Sequence, residues 1–259
     1  MKGFPRNVAI FLLTVFWPIQ GYCDQEVTLD VSHYLYEEEV NGAFFMKDEA
    51  APAFISVGIR DWEGQQGPDS EYGFLYTAEV TYGIVDYSSA GTGTMEKDYY
   101  KGRLEGLFTY NLGPVKPFIG LGYRALYDDS GGKTTSTGHV GYDRLSQYVY
   151  IPIGGIFQLG SDFSFKGQFN YLAYGQQTSY FSTFSPLCSD LENEQTGGFG
   201  FDAAANFKIT DRTSIYAFYR YWDIDDSNPN TFVCGNFVGV GLEPQNVTNE
   251  AGIGVAFKF

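Results

Sequence analysis

Only two histidines, His33 and His139, occur in the 259 residues, and neither stands in a spacing that builds a catalytic pair. Asp128 and Asp129 share a stretch with His139, but no Asp-x-His is present. Asp223, Asp225 and Asp226 have no histidine beside them, and Ser32-His33 does not match a Ser/His hydrolase pair. No catalytic, cofactor or metal residue is therefore assigned, and the expectation is a non-enzymatic protein. The acidic groups at 37–39, 128–129 and 223–226 read as solvated charge; the last has a spacing faintly like a calcium loop but lacks the glycine and closing glutamate of that pattern. Also missing is any run of about twenty uninterrupted apolar residues, which excludes a membrane helix by length. Basic residues are few, 16 against 31 acidic, a balance that disfavours nucleic acid as a partner.

What the amino terminus does contain is Lys2 and Arg6 ahead of an apolar run over 8–17, then Pro18, Gln20 and Gly21. This predicts a secretory signal peptide over 1–23. Gln20-Gly21-Tyr22 argues against acylation of Cys23. Loss of the signal leaves 14 Lys and Arg against 31 Asp and Glu, a formal charge of −17 (14 − 31). It also leaves Cys188 and Cys234, an even pair in an oxidising compartment, for which a disulfide is the simplest expectation.

The last thirteen residues, V-T-N-E-A-G-I-G-V-A-F-K-F, organise the rest. Val247, Asn249, Ala251, Ile253, Val255, Phe257 and Phe259 share one parity, and Thr248, Glu250, Gly252, Gly254, Ala256 and Lys258 the other. In a strand these sets face opposite sides, one apolar and ending on an aromatic residue, the other small or charged. The same alternation recurs over 27–36, 53–62, 72–84, 98–110, 116–127, 143–158, 163–176, 197–208 and 213–222, for ten strands in all. Connections at 63–71, 111–116, 159–162 and 209–212 are short, and the intervening ones are mostly longer, carrying both mature cysteines. A water-soluble sandwich has no reason to sort its loops by parity, whereas a barrel crossing a membrane does.

On this terminal strand, this alternation and these loops, the chain resembles the bacterial outer-membrane β-barrel proteins, of the opacity type and the small porin-like families. The resemblance implies an all-β, transmembrane, antiparallel up-and-down barrel over 24–259 in the bacterial outer membrane. Ten strands are expected, with eight as the alternative. It further implies outer-membrane lipid and lipopolysaccharide as surroundings, and the barrel-assembly machinery as the reader of a closing-strand signal at Phe257 and Phe259.

Parity places Arg60, Lys101, Arg103, Arg124, Arg144, Lys166, Lys208, Arg220 and Lys258 inside such a barrel, with Glu79, Glu105, Asp202 and Glu250. Two readings of this lumenal charge network follow. One is a salt-bridged polar filling; the other is a narrow pore whose basic lining favours anions and passes small solutes. Ten strands leave little room once arginine and tyrosine side chains enter, which favours the filling. The expected function is then carried by outer loops that serve interaction with a host or surface ligand, or envelope integrity. Tyr99, Tyr100, Tyr110, Tyr148, Tyr150, Tyr219, Tyr221 and Trp222 are expected in the interfacial aromatic girdles.

Overall fold

Period-two alternation with lipid-compatible residues on one parity has one closed solution, a barrel in which every backbone ladder finds a partner. The computed structural model describes residues 25–62, 65–66 and 71–259, and the expected signal segment lies outside them. The elements, in order, begin with β1 (Glu26–Val40), β2 (Ala43–Ala50), β3 (Phe54–Arg60) and the short β4 (Gln65–Gln66). They continue with β5 (Tyr72–Ser89), β6 (Gly93–Tyr110), β7 (Val115–Asp129), β8 (Asp143–Leu159) and β9 (Phe163–Tyr180). A 3-10 turn at Phe181–Thr183 precedes β10 (Leu191–Gln195), β11 (Gly198–Thr210) and β12 (Thr213–Ile224). The hairpin β13 (Asn230–Cys234) and β14 (Phe237–Gly241) precedes the closing strand β15 (Gln245–Lys258).

Ten wall strands result, because two of them are broken. β2 and β3 pair successive parts of β1 and are parted by Ala51 and Pro52, joined by a cis peptide; proline offers no N–H to a ladder. β10 and β11 likewise pair successive parts of β9. Closure is made by β1 against β15, from Glu26↔Lys258 to Glu39↔Gln245, all antiparallel.

The outer face of the wall carries Leu29, Val31, Ile55, Val57, Phe74, Phe108, Ile119, Phe169, Ile215 and Ile253, all exposed. A continuous apolar belt of this kind belongs in lipid rather than water. Strands of 18 residues in β5, β6 and β9 run about 60 Å, or about 40 Å after a tilt of roughly 45°, beyond a hydrocarbon core of about 30 Å. At the end bearing the longer loops the outward residues turn charged, as at Glu37, Lys47, Asp86, Glu96 and Asp143. The strands therefore project past the lipid at that end.

This projection corrects several expected boundaries. The acidic stretch after residue 36 is not a loop: β1 runs on to Val40 and reverses through Asn41 and Gly42, both at positive φ. Asn-Gly is the residue pair that two-residue hairpins favour. Residues 88–97 are likewise mostly strand, with the turn confined to 90–92. The two long loops are also partly ladder, through β10 and through β13 with β14.

Candidate functional site

Alternation turns one residue in two into the lumen, and there the polar groups must find each other or water. Near the short-turn end Arg60 donates to Glu26 at 2.7 Å and to Asn206 at 2.8 Å, its guanidinium sandwiched between Trp62 and Tyr216. Beside it Leu75, Leu107, Phe118 and Ile156 form a buried apolar cluster. Lys208, half-exposed, lies 3.0 Å from Asp211.

The middle of the lumen holds two linked ion clusters. Arg220 grips Glu79 with both terminal nitrogens, at 2.6 and 2.8 Å, and lies 3.6 Å from Glu250. Glu250 in turn takes Lys101 at 2.5 Å and the Ser32 hydroxyl at 2.8 Å. In the second cluster Arg103 bridges Glu105, at 2.7 Å, and Asp202. Lys166, Gln168 and the Tyr150 hydroxyl complete Glu105 at 3.5, 2.6 and 3.0 Å. Arg124 differs from these. It donates to Thr248 at 3.3 Å and lies over Trp222 and Tyr148, with no carboxylate in ion-pair range among the described residues.

Toward the long-loop end a third cluster joins Arg144 to residues that parity alone did not assign. Lys97 holds Asp48 at 3.0 Å and Asp128 at 2.5 Å. Arg144 reaches Glu38 at 2.6 Å, Asp128 at 3.3 Å and Glu243 at 3.8 Å. The Tyr36 hydroxyl lies 2.9 Å from Glu38 and 3.2 Å from Glu243, and Gln177 donates to Glu243. Burial pushes the Glu243 carboxyl up to about 8, assisted by the nearby charge of Glu38 and opposed by Arg144. Four carboxylates here meet two cations, so a proton on Glu243 relieves the excess. Lys97, Asp128, Glu38 and Asp48 were expected in loops. They become lumenal because the strands run past the membrane.

A girdle role fails for four aromatic residues. Tyr99, Tyr148, Tyr150 and Trp222 are buried inside, whereas Tyr100, Tyr110, Tyr219 and Tyr221 lie on the outer face. Their parity is that of the lumenal charges: Tyr99 precedes Lys101 by two, and Trp222 follows Arg220 by two. A local irregularity adds a shift that sequence could not show. Val149 pairs Tyr174 but Tyr150 pairs Leu172, so Ala173 is bulged and the parity of β9 changes there. Gln177 consequently faces inward.

Cys188 and Cys234 form a disulfide that ties the 181–190 loop to the β13–β14 hairpin. Backbone bonds from Ser189 to Val233 and from Gly235 to Leu187 flank it. Asn193 and Asn230 side chains bind backbone carbonyls across the same junction, at Asn228, Gly241 and Glu192. The hairpin so held exposes Phe237, Val238 and Val240, each more than 60% accessible. His33 and His139 stay apart from these clusters: His33 is on the outer face near Glu49, and His139 is in a loop beside Thr137. Phe257 and Phe259 are exposed at the end of β15.

The sequence matches the family described as outer membrane protein beta-barrel domain over residues 64–259. No curated protein matches it. Among solved structures, neisserial surface protein A shares 13% identity at a TM-score of 0.38, covering 93% of this chain and 100% of that one. The translocator domain of the autotransporter NalP from Neisseria meningitidis shares 11% at 0.43, covering 98% and 95%. An outer-membrane channel from Pseudomonas putida F1 shares 10% at 0.44, covering 94% and 98%.

Proposed function

Since this chain belongs to the outer-membrane β-barrel family and resides in the bacterial outer membrane, we propose that it is a closed, non-enzymatic scaffold whose outer loops do its work. The observation that carries the reading is the filled lumen. Its central cavity leaves only about 20 Å³ for the centre of a water, room for about one or two molecules. A solute would have to break several buried ion pairs to pass, each costing about 3–5 kcal/mol when one partner is stripped away. The loops, by contrast, are braced by a disulfide and side-chain bonds, which lowers the ordering cost of any interaction they make. Their exposed apolar hairpin suits a host or surface ligand better than it suits bare solvent. Lipopolysaccharide is the expected neighbour of the outer wall, and Phe257 with Phe259 the expected signal to the barrel-assembly machinery.

Planar-bilayer conductance of the refolded protein tests the closed lumen, and silence is expected from folded protein. Steady anion-biased openings would favour the second reading, a narrow pore, for which the concentration of basic residues around the central cavity is the supporting observation. The loop role is tested by replacing 182–189 and 228–242 with short Gly-Ser links, which keeps β9, β10 and Glu243. Loss of surface or host-cell adhesion with retained barrel fold is expected. Unchanged adhesion would overturn the loop reading.

A further inference from the structure

We propose that the middle of the lumen binds a small monovalent anion, of halide size, on Arg124. Three independent features converge there. Arg124 is more than nine-tenths buried, and its Nη1 has no hydrogen-bond partner among the described residues. A buried guanidinium nitrogen without an acceptor is a costly state, since the charge has lost its water. Secondly, Arg124 sits directly across the β6–β7 ladder from Arg103. Like charges so placed repel each other. Arg103 is neutralised by Glu105 and Asp202, yet its own Nε is also buried and has no hydrogen-bond partner among the described residues. Thirdly, both arginines line the central cavity.

The charges around that cavity are unbalanced in the direction an anion requires. Lys101, Arg103, Arg124 and Arg220 line it against Glu79 and Glu250. Those two carboxylates are already committed, Glu79 to Arg220 and Glu250 to Lys101. Asp30, a little nearer the short-turn end, accepts from Tyr216. Among the described residues Arg124 is thus the cation lining this cavity without a carboxylate in ion-pair range. Trp222 and Tyr148, with ring centres 5.1 and 5.7 Å from its Cζ, hold the guanidinium in place but supply no acceptor for Nη1.

Size then selects the ligand. Space for about one or two waters admits chloride or bromide but not phosphate, sulfate or gluconate. Such an ion would accept from Arg124 Nη1 and lessen the repulsion with Arg103. Such a site is independent of what the outer loops bind and is compatible with a closed or a conducting lumen.

The test is refolding of the full barrel in sodium chloride and in sodium gluconate at equal ionic strength, followed by urea unfolding. A ligand at one hundred times its Kd raises the folded-to-unfolded ratio about a hundredfold. Chloride should therefore stabilise the wild-type protein saturably over gluconate, and R124Q should remove the difference. Crystals grown in bromide should show an anomalous peak within hydrogen-bond distance of Arg124 Nη1. Equal stability in the two salts, chloride dependence retained in R124Q, or a water in place of bromide would each overturn the site. If R124Q does not refold, the bromide experiment on the wild-type protein decides alone.

Discussion

Replacing Arg220 with methionine is the sharpest probe of how the lumen is held together. Arg220 binds Glu79 through two hydrogen bonds of 2.6 and 2.8 Å and lies 3.6 Å from Glu250. The side chains of Arg220 and Glu79 are 16% and 9% exposed, so the pair is largely desolvated. Stripping one member from a buried pair costs about 3–5 kcal/mol, chiefly because the other charge is left behind. Glu250 keeps Lys101 at 2.5 Å, and the cavity beside the pair admits a water. Both features soften the loss, which places R220M near the lower figure, about 3 kcal/mol, or more than a hundredfold in the unfolding equilibrium. Adding E79Q removes the stranded carboxylate, and the double variant should lie only about 1 kcal/mol below wild type. The coupling energy is then about 2 kcal/mol or more, as expected for groups sharing one network. Equilibrium urea unfolding in short-chain lipid vesicles, followed through tryptophan fluorescence, reads wild type, R220M, E79Q and the double variant. If the two single changes simply add, the pair is not a coupled unit and the account of the filled lumen fails.

Other outcomes follow from the same geometry. Glu243 keeps its proton in the folded mouth up to about pH 8, against 4.5 for the free side chain. Between those values the folded state binds more protons, so the loop is held best below pH 4.5, less well as pH rises, and at a constant lower level above 8. Hydrogen exchange of 225–244, corrected for intrinsic rates, should show that slope, and E243Q should flatten it; an identical slope in the variant would refute the assignment. The disulfide closes a separation of 46 residues, which in the chain-entropy account corresponds to at most about 4 kcal/mol. C188S/C234S should therefore make both loops protease-sensitive while the heat-modifiable barrel band on gels persists, and loss of that band would show the bond to be needed by the wall. A Cβ on Gly120 would strike the carbonyl of Gly106 and lie 2.9 Å from Leu107 Cα, whereas one on Gly102 meets nothing within 4 Å. G120A should lose about 1–3 kcal/mol by overpacking and G102A almost nothing, a contrast that refolding yield and urea midpoint both measure.

The sequence by itself determined the all-β class and the alternation within most strands, because a strand's two-residue period is local; it did not place Tyr99, Tyr148, Tyr150 and Trp222 inside or show the change of parity at Ala173. That period alone assigned Arg60, Glu79, Arg103, Glu105, Arg124, Arg144, Lys166, Asp202, Arg220 and Glu250 to the lumenal parity. Charged runs at 37–39 and 128–129 read as loops, since nothing local distinguishes a strand standing clear of the membrane from a polar turn. The Asn41-Gly42 turn was the one signal that could have extended β1. Only closure of the barrel decided the partners. Ser32 meets Glu250 across 218 positions, and Arg220 meets Glu79 across 141. The register of β6 on β7 set Arg124 opposite Arg103, with no carboxylate in ion-pair range among the described residues, and closure carried Lys97, Asp128 and Glu243 into one mouth. Parity can say that a charge points inward, but what it meets there depends on strand register, bulges and the curvature of the closed sheet.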